Sequence, residues 1–250
     1  MIEFSNVSRS YGAKLAVDDL NLSIPRGELF ALLGPNGAGK TTTIKMLVGL
    51  LRPAAGSVRV CGYNMLDRPR EAHRLLAYVP DEPYLYDKLT GREFLQFIAD
   101  MFGLEPAVAR ENISREIETF SLAGFVDELT ENYSHGMKQR LAFAAALLHD
   151  PQVLVLDEPM VGLDPRSIRL VKDLLRARAA AGMAIFMSTH TLSLAEEIAD
   201  RIGILDHGRL RFLGTLAELR RLHQAEQTSL EELYLRLTEE TPAPAASTSP

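Results

Sequence analysis

The chain has 250 residues, 46% hydrophobic and 24% charged, an ordinary globular composition with enough length to bury a core without disulfide or metal staples. Its 27 Lys and Arg against 33 Asp and Glu give a formal charge of −6, which argues against a general nucleic-acid binder. The single cysteine, Cys61, cannot form an internal bridge, and Met1-Ile2-Glu3-Phe4 lacks the basic and apolar stretches of a secretory leader, so a reducing compartment is expected.

Leu20, Leu22 and Ile24 alternate with polar residues, predicting a half-buried antiparallel strand. Residues 29–33 (LFALL) are apolar throughout, as suits a parallel strand covered on both faces. Ile44, Leu47, Val48 and Leu51 follow at helical spacing, with Arg52-Pro53 as the expected end. Val58 and Val60, between Gly56 and Gly62, predict another strand. A helical stretch is expected over about 84–148. In it Thr90-Gly91-Arg92-Glu93 matches a capping box, and Phe94, Phe97, Ile98 and Met101 form one face. Ile113, Ile117 and Phe120 mark a second helix with Gly124 as its expected stop. A third starts near Ser134, its apolar face made of Met137, Leu141, Ala144, Ala145 and Leu148. Strands are predicted at 153–156, 184–188 and 202–205, with a helix over 164–181 between the first two. Asp206-His207-Gly208-Arg209 reads as a hairpin turn. The longest apolar runs, such as 141–148, fall short of the roughly 20 residues a helical membrane span needs, so no direct span is expected. Residues 224–250 carry five Glu against one Arg, and 240–250 read as a disordered tail.

Two segments carry chemistry. Gly34-Pro35-Asn36-Gly37-Ala38-Gly39-Lys40-Thr41 fits GxxxxGK[ST], between an apolar strand and an amphipathic helix. Glycines there let backbone N–H groups turn inward around phosphate oxygens, and the following helix start, including Thr42, adds partial positive charge. Lys40 is placed to reach the β- and γ-phosphates and the Thr41 hydroxyl to ligate Mg²⁺. Val153-Leu154-Val155-Leu156-Asp157-Glu158 is a buried strand ending in two carboxylates. Asp157 suits a Mg²⁺ contact through water, and Glu158 suits orienting or deprotonating an attacking water.

With those two segments in place, Ser134-His135-Gly136-Met137-Lys138-Gln139-Arg140, 23 residues before Asp157, resembles the signature motif of ABC ATPases, commonly LSGGQ. His190, 33 residues after Asp157, resembles the switch histidine of that family, Gly162-Leu163-Asp164 its D-loop, and Tyr11 the aromatic residue that stacks on adenine. The resemblance covers about residues 1–235. Taken alone, Ser134 could simply cap a helix, and Tyr11 and His190 could be ordinary packing.

The resemblance implies an α/β P-loop NTPase of ABC type, with a mostly parallel sheet core, an antiparallel β subdomain and a helical subdomain at about 84–150. The ATPase domain is expected over 1–223, a C-terminal helical extension over 224–239 and the tail beyond. It implies ATP and Mg²⁺ as ligands, Lys40, Glu158 and His190 in catalysis, and Thr41, Asp81 and Asp157 about the metal. It also implies a homodimer or a dimer with a similar subunit, in which Ser134, Gly136 and Asp164 complete the partner's nucleotide site. Separate membrane permeases would hold the protein on the cytoplasmic side, where it would power transport, with export-type systems the nearest in style.

Two positions depart from the family pattern. Asp81, in Tyr78-Val79-Pro80-Asp81, stands where glutamine is usual, and His135 and Met137 replace glycine and glutamine of the signature. Tyr84-Leu85-Tyr86 reads either as core or as a surface that receives a short helix of a membrane partner. The competing functions are a soluble ABC ATPase acting on ribosomes or DNA, and a P-loop small-molecule kinase. The first is disfavoured by room for only one nucleotide domain and by the 117-residue spacing of Lys40 and Asp157. The second leaves Ser134 and His190 without a role.

Overall fold

In a computed structural model, residues 1–223 and 228–239 are described. The expected tail at 240–250 and the first residues of the expected extension, 224–227, lie outside them.

Strands β1 (Ile2–Tyr11), β2 (Lys14–Ile24), β4 (Ala55–Val60) and β5 (Tyr63–Asn64) form an antiparallel sheet in the order β2-β1-β4-β5. The predicted alternation in β2 is real: Leu20, Leu22 and Ile24 are buried and the residues between them are exposed. A second sheet of six strands has the order β10-β9-β3-β8-β7-β6. Its members are β3 (Leu29–Leu33), β6 (Leu76–Val79), β7 (Val153–Asp157), β8 (Ala184–Thr189), β9 (Arg201–Asp206) and β10 (Arg209–Gly214). All neighbours run parallel except β10 on β9, whose turn at His207 and Gly208 has both residues at positive φ, as a two-residue hairpin favours.

The solid apolar run of β3 has the expected cause. Leu29, Ala31 and Leu33 face the core shared with the helical region, while Phe30 and Leu32 face the core shared with the antiparallel sheet. Burying side chains of this size contributes about 1.5–3 kcal/mol each, so the strand that carries the glycine-rich loop is rigid from both sides.

The helical region comprises α3 (Gly91–Met101), α4 (Pro106–Thr119) and α5 (His135–Leu147), and the predicted capping box at Thr90 and Glu93 is formed. Residues 84–89 precede α3 as turns and irregular chain rather than helix. Two other helix ends differ from expectation. Helix α1 (Lys40–Leu47) stops before Arg52-Pro53, because Gly49 takes the left-handed conformation at φ 75 and bonds back to Met46. Helix α4 stops before Gly124. Ser121, at φ 53, closes it with bonds from Ser121 N to Glu118 O and from Leu122 N to Ile117 O, burying Leu122.

The remaining helices are α2 (Pro69–His73), α6 (Pro165–Ala180), α7 (Leu192–Ile198), α8 (Leu216–Leu222) and α9 (Leu230–Glu239). Helix α9 lies within the expected extension and buries Leu230 and Leu233 in the core on the helical side. Among the described residues, no helix is long and apolar enough to cross a membrane.

Candidate active site

Parallel pairing decides which residues meet. Register sets Leu33 of β3 opposite Thr189 of β8, Asp157 of β7 opposite Ser188, and Val79 of β6 opposite Leu156. Four neighbouring strands therefore end at one sheet edge, and the segments leaving them carry Gly34–Thr41, Glu158, His190 and Asp81. Ligands of open α/β sheets bind at this carboxyl edge.

The glycine-rich loop leaves β3 and enters α1 at Gly39. At φ 114 Gly39 is in a conformation only glycine adopts freely, and a Cβ there would sit 2.3 Å from Ala16 O. A Cβ on Gly34 would meet Leu205 O at the same 2.3 Å. Helix α1 has no side-chain cap and no acid in its first turn. Its first N–H groups are thus available to an anion, favoured by the helix dipole. The Lys40 amine donates to Gly34 O at 2.6 Å and to Pro35 O at 3.2 Å. Burial pushes its pKa down, and the charges of Glu158 and Asp157 oppose that shift. The β9–β10 turn braces the loop from outside, with Gly208 N donating to Ala38 O and Asp18 N to Gly208 O.

Asp157 and Glu158 follow one another but differ in environment. Asp157 is 7% exposed and accepts a hydrogen bond from the Ser188 hydroxyl. Burial raises its carboxyl above the ordinary range, against the Ser188 bond; the charges of Glu158 and Asp81 add to the rise and that of Lys40 opposes it. Glu158 turns out of the strand at φ 47. One of its carboxylate oxygens, Oε2, accepts from Thr189 Oγ1 at 3.1 Å; the other, Oε1, lies 2.8 Å from His190 Nδ1. Thr189 Oγ1 in turn accepts from Thr191 N. Ser188 and Thr189 were not singled out by sequence reasoning, although they stand directly before His190.

Asp81 is exposed on the segment after β6, and its charge reaches both Asp157 and Tyr78. The Tyr78 phenol is pushed up to about 12, first by burial and then by Asp157 and Asp81. Asp157, Glu158 and Asp81 bring more negative charge to this edge than Lys40 offsets. Among the described residues no three acidic, histidine or cysteine side chains are gathered to hold a metal by themselves, but the carboxylates of this edge and the Thr41 hydroxyl are hard oxygen donors of the type Mg²⁺ takes, one or two at a time, together with substrate phosphates.

Tyr11 is half exposed and shares a cavity of about 210 Å³ with Pro35, Asn36, Gly37, Gly39, Lys40, Thr41 and Thr42. Its ring lies 5.4 Å from the Arg9 guanidinium. Ser134, Gly136 and Asp164 do not line that cavity. Instead, the start of α5 packs against the segment that leads to Asp164. Ser134 caps α5 by accepting from Met137 N at 3.3 Å, and a Cβ on Gly136 would lie 3.1 Å from Gly162 O. The His135 ring fills the space beside Gly162 and its Nε2 lies 3.1 Å from Val161 O. Asp164 caps α6 through Arg166 N and Ser167 N, and the Ser167 hydroxyl bond, with these, holds its carboxyl below the ordinary range. The buried Gln139 donates to Pro159 O, tying α5 to the chain just after Glu158.

Tyr84 and Tyr86 are exposed while Leu85 is buried, so the short aromatic segment is divided between surface and core. Beside it runs an apolar cavity of about 390 Å³ between the sheet and the helical region, lined among others by Leu50, Tyr84, Ile98, Phe102, Ala146 and His149.

The ABC transporter family matches residues 17–161, more than half of the chain. The daunorubicin/doxorubicin resistance ATP-binding protein DrrA of Streptomyces peucetius is 39% identical over 244 residues, covering 94% of this chain and 74% of its own. The chain belongs to the ABC transporter ATP-binding family. The Nod factor export ATP-binding protein I of Burkholderia orbicola is 42% identical over 208 residues, covering 83% of this chain and 68% of its own. A solved ATP-binding subunit of an ABC transporter superposes with a TM-score of 0.90 at 36% identity, covering 95% of this chain and 99% of that one. This ABC protein is accordingly an ATP-binding ATPase that serves transmembrane transport. The expected α/β architecture, with its antiparallel sheet and helical region, is that of the family.

Proposed function

We propose that the protein powers export through separate membrane permease subunits, working from the cytoplasmic face as an ATP-sandwiched dimer. The relatives support the direction: by name they serve drug resistance and Nod factor export. The observation that carries the dimer is the division of the site. Lys40, Asp157, Glu158 and His190 gather at the sheet edge, whereas the exposed Ser134 and Asp164 and the half-buried Gly136 do not line the cavity at the loop. The start of α5, with its partial positive charge, can serve a phosphate only if another copy brings one to it.

In this reading ATP lies between the loop of one protomer and Ser134 and Gly136 of its partner, with the adenine against Tyr11. Thr41, Asp157 and Asp81 would hold Mg²⁺, which when bound would neutralise phosphate charge. Glu158 orients water and accepts its proton as the water oxygen bonds to the γ-phosphorus and the bond to the β–γ bridging oxygen breaks, giving ADP and phosphate. His190 contacts the γ-phosphate, and Lys40 with the loop N–H groups meets the charge on the transferred group. Loss of the γ-phosphate contacts loosens the dimer, which is the mechanical output. The apolar groove beside Tyr84 receives a short helix of the permease.

The test is Glu158→Gln with ATP and Mg²⁺, read by light scattering and phosphate release. The expected result is retained ATP binding, loss of most turnover and accumulation of dimer. Turnover at the wild-type rate removes Glu158 from the chemistry. A variant that stays monomeric, alone and with its permease, overturns the sandwich.

A further inference from the structure

The nucleotide cavity contains a residue that the family motifs do not include. Strands β1 and β2 are joined by a two-residue turn, Gly12-Ala13, with Gly12 at φ 57, and their last paired residues are Tyr11 and Lys14. Directly opposed residues of an antiparallel pair send their side chains to the same face. The hairpin tip therefore presents an aromatic ring and an ammonium group together, and both line the cavity with Pro35 to Thr42. A Cβ built on Gly37, in the phosphate loop, would lie 3.9 Å from Lys14 Nζ.

The charge of Lys14 is uncommitted. Neighbouring cations are engaged: Arg9 donates to Arg52 O while lying over the Tyr11 ring, and Arg209 pairs with Asp18. Lys14 has no acidic partner among the described residues. A flexible, solvated amine beside backbone that turns its N–H groups to an anion has one complementary ligand class, a polyanion entering the cavity.

We infer that Lys14 is a second phosphate-contacting cation, joining Lys40, and that it sets affinity for the nucleotide's phosphate chain from the adenine side of the loop. The inference rests on reading this cavity as the ATP site. Lys40 is held at the start of the loop, where it donates to Gly34 O and Pro35 O. Lys14, on the hairpin tip, reaches the loop at Gly37, so a phosphate chain in the cavity would meet two lysines.

The experiment measures ATP affinity of the full chain by calorimetry in Lys14→Gln, Lys14→Arg, Tyr11→Ala and Lys40→Ala, at several salt concentrations. Lys14→Gln is expected to weaken ATP binding about three- to tenfold at low salt, the scale of one charge-assisted contact near the surface. The deficit should shrink as salt rises, since an exposed ion contact is screened. Lys14→Arg should restore most of the affinity. Wild-type affinity in Lys14→Gln at low salt overturns the assignment. So does a loss that is equal at all salt concentrations and not rescued by arginine, because packing rather than charge would then be at work. If Tyr11→Ala and Lys40→Ala also bind ATP as the wild type does, the cavity is not the nucleotide site and the broader reading falls. If they lose binding while Lys14→Gln does not, only the role of Lys14 falls.

Discussion

Nδ1 of His190 lies 2.8 Å from Oε1 of Glu158, while Thr189 Oγ1 donates to Oε2 of the same carboxylate. Glu158 is thus held at both oxygens by consecutive residues, the last of β8 and the one after it. A group that orients water is effective only when its own direction is fixed, since misplacement of about 1 Å can cost on the order of 100-fold in rate. Thr189→Val keeps the shape of a 1% exposed side chain and removes the hydroxyl. It is expected to lower kcat about tenfold while the Kd for ATP stays within about twofold. Loss of the Thr191 N–H bond should also cost about 0.5–1.5 kcal/mol of stability, since Thr191 is exposed. Steady-state turnover, ATP titration and thermal melts separate these effects. An unchanged kcat would mean that His190 alone sets the orientation.

Asp157 gives a prediction with a definite sign. Burial raises its folded-state pKa above the ordinary 3.8. From 3.8 up to the raised value, the native state therefore binds more protons than the unfolded chain, so this group makes stability fall as pH rises through that window. Above the window the penalty is complete and constant. Asp157→Asn removes it, and in metal- and nucleotide-free protein should raise Tm at pH 7 by about 2–4 °C, the shift that about 1 kcal/mol gives in a domain of this size. The gain over wild type should shrink as pH falls toward 3.8. Hydrolysis should be lost together with the gain in stability, as when a functional site is built at the expense of the fold. A lower Tm for the variant at pH 7 would show that the Ser188 bond to the carboxylate outweighs desolvation.

The contrast between Asp157 and Thr189 shows what was legible in the sequence. Asp157 and Lys40 announce themselves because their signals are local: an apolar strand, a run of glycines, a carboxylate at the strand end. The partners that hold Glu158 come from a strand 31 residues away, brought in by the parallel register of β7 and β8. No local pattern encodes that register. Helix ends were misjudged for a related reason. Pro53 and Gly124 are strong stop signals, but Gly49 and Ser121 had already closed their helices with bonds to carbonyls behind them. Serine rarely takes the left-handed conformation, and here burial of Leu122 makes it worthwhile.

Gly162, in the segment leading from Glu158 to Asp164, packs against the start of α5. At φ 74, a Cβ there would sit 2.1 Å from Cδ2 of His135. Gly162→Ala must displace the imidazole or the loop, and both lie on the surface proposed to meet the partner's phosphate. ATP-dependent dimerisation of the Glu158→Gln background is expected to weaken at least about tenfold, with monomer ATP affinity unchanged. In a His135→Ala background the steric part disappears. What remains is the backbone strain of alanine at positive φ, about 1–2 kcal/mol. A partial rescue of dimerisation by His135→Ala is therefore expected in analytical ultracentrifugation, and its absence would assign the whole effect to the backbone.

Asp81 places an exposed negative charge on the segment after β6, at the position where the family pattern implies glutamine. Its field contributes to the raised carboxyl of Asp157, so it also opposes entry of a triphosphate that carries no metal. Asp81→Gln should tighten metal-free ATP binding about threefold, measured in chelator, while the affinity for Mg-ATP changes less. The Mg²⁺ concentration for half-maximal hydrolysis should shift with it. If metal dependence is the same in both proteins, Asp81 is too well solvated to act on the nucleotide.

Tyr84 and Tyr86 separate docking from packing within one short segment. Tyr86 lies 5.3 Å from the Phe97 ring and 6.2 Å from the Phe94 ring, whereas among the described residues the Tyr84 ring has ring contact only with that of Tyr86 and is 83% exposed. Removing the Tyr86 ring therefore strips its contacts with Phe94 and Phe97 of α3, and Tyr86→Ala should lower Tm by about 2–4 °C for each kcal/mol lost. Tyr84→Ala removes little that the folded subunit uses, so Tm should stay within about 1 °C of wild type, as at other surface positions. An exposed aromatic at the mouth of an apolar groove is the type of residue that anchors an interface, where truncation costs about 2 kcal/mol or more. With the permease reconstituted in vesicles, Tyr84→Ala is then expected to raise the subunit concentration needed for half-maximal transport by at least about tenfold. Normal coupling in that variant, with Tm unchanged, would exclude the aromatic mouth of this groove from the permease contact.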